Sequence, residues 1–107
     1  MLRKKNRYSF RKGVPKNIFA TPFFVLRYQE TNTPVVSCAV VVGKKVDKRA
    51  VFRNKIRRQV VEEVRKLLQD LDQKFEIVLY IKKGMSTLEP QHINDELRKA
   101  FTSTHIL

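Results

Sequence analysis

Apolar residues along the chain fall into five periodic stretches, and the period changes between them. From Phe23 to Glu30 the period is two: Phe24, Leu26 and Tyr28 share one face, and Phe23, Val25 and Arg27 the other, which predicts a strand. Thr31-Asn32-Thr33-Pro34 is turn chemistry, so the next strand is expected to fold back antiparallel. That strand, Val35 to Val42, is β-branched and almost wholly apolar, and reads as central, covered on both faces. From about Ala50 to Leu71 the period becomes helical. Ile56, Val60, Val64, Leu67, Leu68 and Leu71 form one stripe, spanning about 0° to 120° when Ile56 is set to zero and each residue advances ~100°. Phe75 to Ile81 returns to period two, with Phe75, Ile77, Leu79 and Ile81 alternating against Glu76, Val78 and Tyr80. A last helix is expected from Glu89 or Pro90 to Phe101, with Pro90 suited to its first turn, and residues 102–107 read as a tail. Strand–helix–strand across residues 35–81 implies a parallel pair in a mixed sheet, with a right-handed crossover as the default. The 107 residues suffice for one domain with a modest core.

Charge changes this picture. The net charge is +13, and it is not spread evenly. Residues 1–58 carry +14 and residues 59–107 carry −1. The run Gly43 to Arg58 holds eight cations and one carboxylate in sixteen residues, and it passes without a break into the long helix. Residues 1–16 add seven cations and no acid, and Gly13 and Pro15 mark them as a basic arm. A partner with a dense negative backbone is the simplest reason to tolerate such self-repulsion. Nucleic acid is favoured over an anionic membrane surface. No apolar run approaches the ~20 residues of a membrane span, and no apolar segment follows the basic start as in a secretory signal. With a single cysteine, Cys38, read as a small buried core residue, the chain is expected to be cytoplasmic.

The helix is two-faced. Beside the core stripe, Asn54, Arg57, Arg58, Val61 and Arg65 fall at about 100° to 200°. Arg53, Arg57 and Arg58 offer planar forks for bidentate phosphate contact, and Asn54 an amide for a base edge or sugar hydroxyl. Lys44, Lys45, Lys48, Arg49 and Lys55 add charge around them. The competing reading is a solvated helix face, and the scarcity of acids around Arg53 and Arg58, with only Asp47 and Glu62 in reach, argues against it. Among the aromatics, Phe24 reads as core. Phe10 and Tyr28 lie amid cations, where either core packing or base stacking fits. No catalytic constellation is visible. His92 and His105 have no partner at ligand spacing, the three glycines form no phosphate loop, and Glu62 and Glu63 point ~100° apart as a solvated pair.

The block Val42-Gly43-Lys44-Lys45-Val46 followed by Ala50-Val51-Phe52-Arg53-Asn54-Lys55-Ile56-Arg57-Arg58 resembles the signature of the bacterial ribonuclease P protein subunit, approximately V-S-K-K-V, a short spacer, then A-V-x-R-N-R-x-K-R-x-x-R-E. Lys5-Asn6-Arg7-Tyr8 is similar to that family's basic start, Phe24-Val25-Leu26 to its first strand, and Phe75 to Ile81 to its last. The resemblance implies a small α+β domain of αβββαβα type with a left-handed crossover. It implies a protein that binds a catalytic RNA through Arg53, Asn54, Lys55, Arg57, Arg58 and Arg65, with Lys44, Lys45, Lys48 and Arg49 beside them and Lys4, Lys5, Asn6 and Arg7 at the N-terminus. It also implies a cleft for the 5′ leader of precursor tRNA between the sheet and an N-terminal helix, for which Phe10, Phe19, Arg27 and Tyr28 are the candidates. Hydrolysis would belong to the RNA and its Mg2+, with no cofactor held by the protein and no protein partner required. Departures are Gly43 for Ser, Lys55 for the second Arg, Arg57 for Lys, and Val61 for a further Arg, with Arg65 one turn on. The alternative is a ribosomal or ribosome-assembly RNA-binding protein of similar build; a stand-alone nuclease is the third reading.

Overall fold

In the computed structural model of the protein, residues 15–30, 37–69 and 75–106 are described. Strands β1 (Asn17–Ala20), β2 (Phe24–Glu30) and β3 (Ser37–Val41) precede helix α1 (Ala50–Leu68). Strand β4 (Phe75–Ile81), a short 3-10 turn (Lys83–Thr87) and helix α2 (Pro90–Ser103) follow. The four strands form one sheet in the order β1-β2-β4-β3. β1 and β2 pair antiparallel, β2 and β4 antiparallel, and β3 and β4 parallel, so the expected parallel pair around α1 is present. This is a small α+β domain with a mixed sheet and two helices. The leading helix implied by the resemblance falls on residues outside the described ones, as does the turn at 31–34.

Two expectations about the strands are corrected. β3 is an edge strand, and β4 occupies the centre. β2 and β3 do not form a hairpin, because β4 lies between them: Tyr28 and Cys38 both face Ile77 across their ladders. β1 was not visible in the residue pattern, although the αβββαβα order implied by the resemblance requires a third strand before the long helix. Its four residues pair in register with β2, from Asn17 opposite Tyr28 to Ala20 opposite Val25.

The alternation read from the sequence decides where the core lies. Phe24, Leu26, Cys38, Ile77 and Leu79 are buried on one face of the sheet, and they pack with Ile56, Val60, Val64 and Leu68 of α1 and Ile93, Leu97, Ala100 and Phe101 of α2. Each fully buried aliphatic or aromatic side chain stabilises the fold by ~1.5–3 kcal/mol relative to leaving it in water. The stripe of α1 is the expected one as far as Leu68, with Leu67 only partly buried, Leu71 outside the described residues, and one addition: Glu63 is buried. Pro90 stands in the first turn of α2.

Residues 102–106 are not a loose tail. The helix continues to Ser103, and His105 takes a left-handed backbone, φ 62°. Ile106 N–H then donates back to the Phe101 carbonyl at 2.9 Å. The reversal drops the Ile106 side chain into the core, fully buried.

Candidate nucleic-acid interface

Two buried valines hold the loop between β3 and α1. Val42 and Val46 are both in the core, and Val46 N–H donates to the Gly43 carbonyl at 3.1 Å. With its ends fastened inward, the turn throws Lys44 and Lys45 out into solvent. Asp47 then organises the approach to α1. Its Oδ1 accepts from Arg49 N–H at 2.9 Å and from Arg49 Nε at 3.1 Å, and its Oδ2 from Arg49 Nη2 at 3.1 Å. The Arg49 guanidinium and backbone N–H hold the Asp47 carboxyl below its ordinary range.

Arg49 is also the residue that precedes the first turn of α1, which has no side-chain cap and no acid in that turn. Its guanidinium carbon sits 3.7 Å from the centre of the Phe52 ring. Arg53 reaches backwards: Nη1 donates to the carbonyls of Asp47 at 3.1 Å and Lys48 at 2.8 Å. The fork expected to meet phosphate therefore fastens the loop to the helix. Farther along, Arg57 Nη1 donates to Asn54 Oδ1 at 2.7 Å, which orients both side chains. Lys48, Asn54, Lys55 and Arg58 are exposed, and Arg57 is half-buried. Among the described residues, Lys44, Lys45, Lys48, Lys55, Arg57 and Arg58 form no salt bridge. The cationic surface of this loop and helix from Lys44 to Arg58 is thus rigidly backed and, Arg49 apart, without an acid partner among the described residues.

The two carboxylates of α1 behave differently from the solvated pair expected. Glu62 bonds Arg65, which lowers the Glu62 carboxyl below its ordinary range. Arg65, which lies one turn on from Val61, is therefore partly neutralised by Glu62. Glu63 is buried. One oxygen accepts from Asn94 Nδ2 at 2.8 Å, and the other lies 3.4 Å from Lys66 Nζ, so it ties α1 to α2. Nothing in the periodicity marks that link, because it needs the partner helix.

The leader-cleft candidates separate. Phe19 lies on β1 opposite Leu26, partly buried against the core, rather than on a helix. Tyr28 also packs against the core. Arg27, its neighbour, points to the other face, where Nε donates to the Pro15 carbonyl at 2.9 Å. Arg27 and Tyr28, the alternatives for the cleft-facing position on this strand, therefore face opposite sides of the sheet. The face with Arg27 also carries Val25, Gln29, Glu76, Tyr80 and a fully buried Val78. Phe10 and Lys4, Lys5, Asn6 and Arg7 lie outside the described residues. Phe52 went unnoticed in the sequence, although its angle of about 320° on the helix put it outside the core stripe.

Burial pushes the Cys38 thiol up to about 12, so it is neutral and inert. Among the described residues no group of three or more His, Cys, Asp or Glu could hold a metal ion, and no helix is long and apolar enough to cross a membrane.

A small mixed sheet backed by two helices, with a cationic loop and helix face, defines a class of α+β domain whose surface suits a polyanion. The family model for ribonuclease P matches residues 1–105, and the chain belongs to that family. Among its relatives, a ribonuclease P protein component from Pseudanabaena is 32% identical over 73% of this chain and 67% of its own length. One from Rickettsia rickettsii is 35% identical over 56% of this chain, and the match spans about half, 53%, of that protein. Solved structures agree on the fold. A mutant RNase P protein of Staphylococcus aureus with defective mRNA degradation activity superposes with a TM-score of 0.79, at 19% identity over 95% of this chain and 90% of that one. The RNase P protein from Thermotoga maritima gives 0.72, at 21% identity over 87% and 92%.

Proposed function

We propose that this chain is the protein subunit of a ribonuclease P ribonucleoprotein, and that it binds the catalytic RNA and the 5′ leader of precursor tRNA during removal of that leader. The observation that carries the reading is the loop and helix from Gly43 to Arg58. Its cations stand on a core-anchored support and, from Lys44 to Arg58, only Arg49 is paired with an acid among the described residues. Family membership favours this reading over the ribosomal alternative.

The protein's contribution is electrostatic and positional. Lys44, Lys45, Lys48, Lys55 and Arg58 neutralise phosphates, and the Asn54–Arg57 pair presents a fixed amide and guanidinium. Arg27 is the leader-cleft candidate on the sheet face away from the helices. On this reading the Mg2+ ions of the reaction and the hydrolysis belong with the RNA. The protein acts in the cytoplasm, where precursor tRNA is processed.

Binding to a transcribed bacterial ribonuclease P RNA, titrated with salt, tests the reading. Log K should fall steeply and linearly with log salt, by ~0.7–0.9 per phosphate neutralised. A shallow slope, or equal affinity for unrelated folded RNA of similar length, would count against it.

A further inference from the structure

Phe52 is an aromatic residue left in the open. Phe52 is 40% exposed in the first turn of α1, beside Val51 at 75%, within the most cationic stretch of the chain. Among the described residues neither side chain belongs to the hydrophobic core. Phe52 sits at the variable position of the A-V-x-R-N motif, so the motif does not account for it either. The Arg49 guanidinium lies 3.7 Å from the ring centre, and the Arg49 side chain remains 66% exposed. Asp47 fixes that guanidinium through two hydrogen bonds and the Arg49 backbone through a third. The result is a short column with aromatic ring below and planar cation above, held in place before any ligand arrives.

We propose that Arg49 and Phe52 form a stacking platform for an unpaired nucleobase of the bound RNA. The inference rests on the RNA-binding reading above and adds the chemical group this corner takes. Bases stack on guanidinium planes and aromatic rings alike, and the contact is sequence-tolerant because every base has a π-face. Charge complementarity selects the occupant. Lys48 and Lys55, both exposed, flank the platform, so phosphates on either side of a stacked base would meet cations, whereas an apolar protein surface would meet uncompensated charge. A paired base cannot reach the platform, since its faces are already covered in the duplex. The platform therefore favours single-stranded over double-helical RNA.

The chain has no tryptophan, so Phe52→Trp installs a lone reporter. The full-length variant is titrated with a short single-stranded RNA, with the same sequence as a duplex, and with heparin, a polyanion without bases. Stacking predicts that the indole emission is quenched by the single strand and not by duplex or heparin. In parallel, Phe52→Leu, which keeps an apolar side chain on an exposed site, should lose ~5- to 100-fold in single-strand affinity. Equal quenching by all three ligands, or single-strand binding with unchanged emission and unchanged Phe52→Leu affinity, overturns the platform while leaving RNA binding intact. Failure of the unaltered chain to bind any RNA removes both readings at once.

Discussion

Arg53 and Arg58 lie five positions apart on α1 and serve different ends. Arg53 donates to two loop carbonyls, so its loss uncaps both; Arg58 stands in solvent with no salt bridge among the described residues. Arg53→Ala should therefore cost stability first, ~1–2 kcal/mol by urea unfolding, and weaken RNA binding through a looser loop. Arg58→Ala should leave the urea midpoint unchanged and lower the salt slope of RNA binding by ~1. Cys38 gives a second residue-level test. Its thiol, ordinarily 9.0, is raised to about 12 by burial. The native state thus holds its proton longer than the unfolded one: the stability this contributes is intact below pH 9 and is lost as pH rises towards 12. At pH 8 a thiol reagent should leave native Cys38 untouched and react once the chain is unfolded in urea. The sequence showed that these cations exist and that Cys38 is core. It did not show which cations are already engaged, because Arg53, Arg65 and Glu63 find their partners through side-chain conformations that spacing alone does not determine.

At the scale of elements, α1 was the most legible part. Nineteen residues of helical periodicity with a one-sided stripe admit few alternatives, and the stripe from Ile56 to Leu68 is buried as expected. β3 was misplaced for a physical reason. A run of small and β-branched apolar residues reports low polarity, and low polarity does not name the neighbours. Here Cys38 faces the core and Val40 packs against it, while Val41 is left exposed at the rim of an edge strand. β1 escaped notice because four residues between Pro15 and Pro22 are too few to show a period. The end of α2 was read as a tail because a left-handed His105, rather than the usual glycine, makes the reversal that buries Ile106. A non-glycine residue in that conformation costs ~1–2 kcal/mol. His105→Gly should relieve most of that and raise the thermal midpoint, part of the gain being offset by the greater freedom of glycine in the unfolded chain. A lowered midpoint would mean the imidazole makes a stabilising contact of its own.

The whole molecule divides its labour between faces. One face of the sheet takes both helices and the core, and the loop that leaves the sheet edge carries the charge onto α1. An excess of +14 confined to residues 1–58 is costly to a folded chain by itself and is relieved by a polyanion. We propose that this surface makes the chain a partner of a catalytic RNA, with hydrolysis carried out by the RNA. The most direct measurement is precursor-tRNA cleavage by a bacterial ribonuclease P RNA at low Mg2+, with and without the protein. The expected result is no cleavage by the protein alone and a large gain when protein and RNA are combined, a gain that shrinks when Lys55 and Arg58 are both changed to Ala. Cleavage by the protein without RNA, or no gain with any of several bacterial ribonuclease P RNAs, would contradict it.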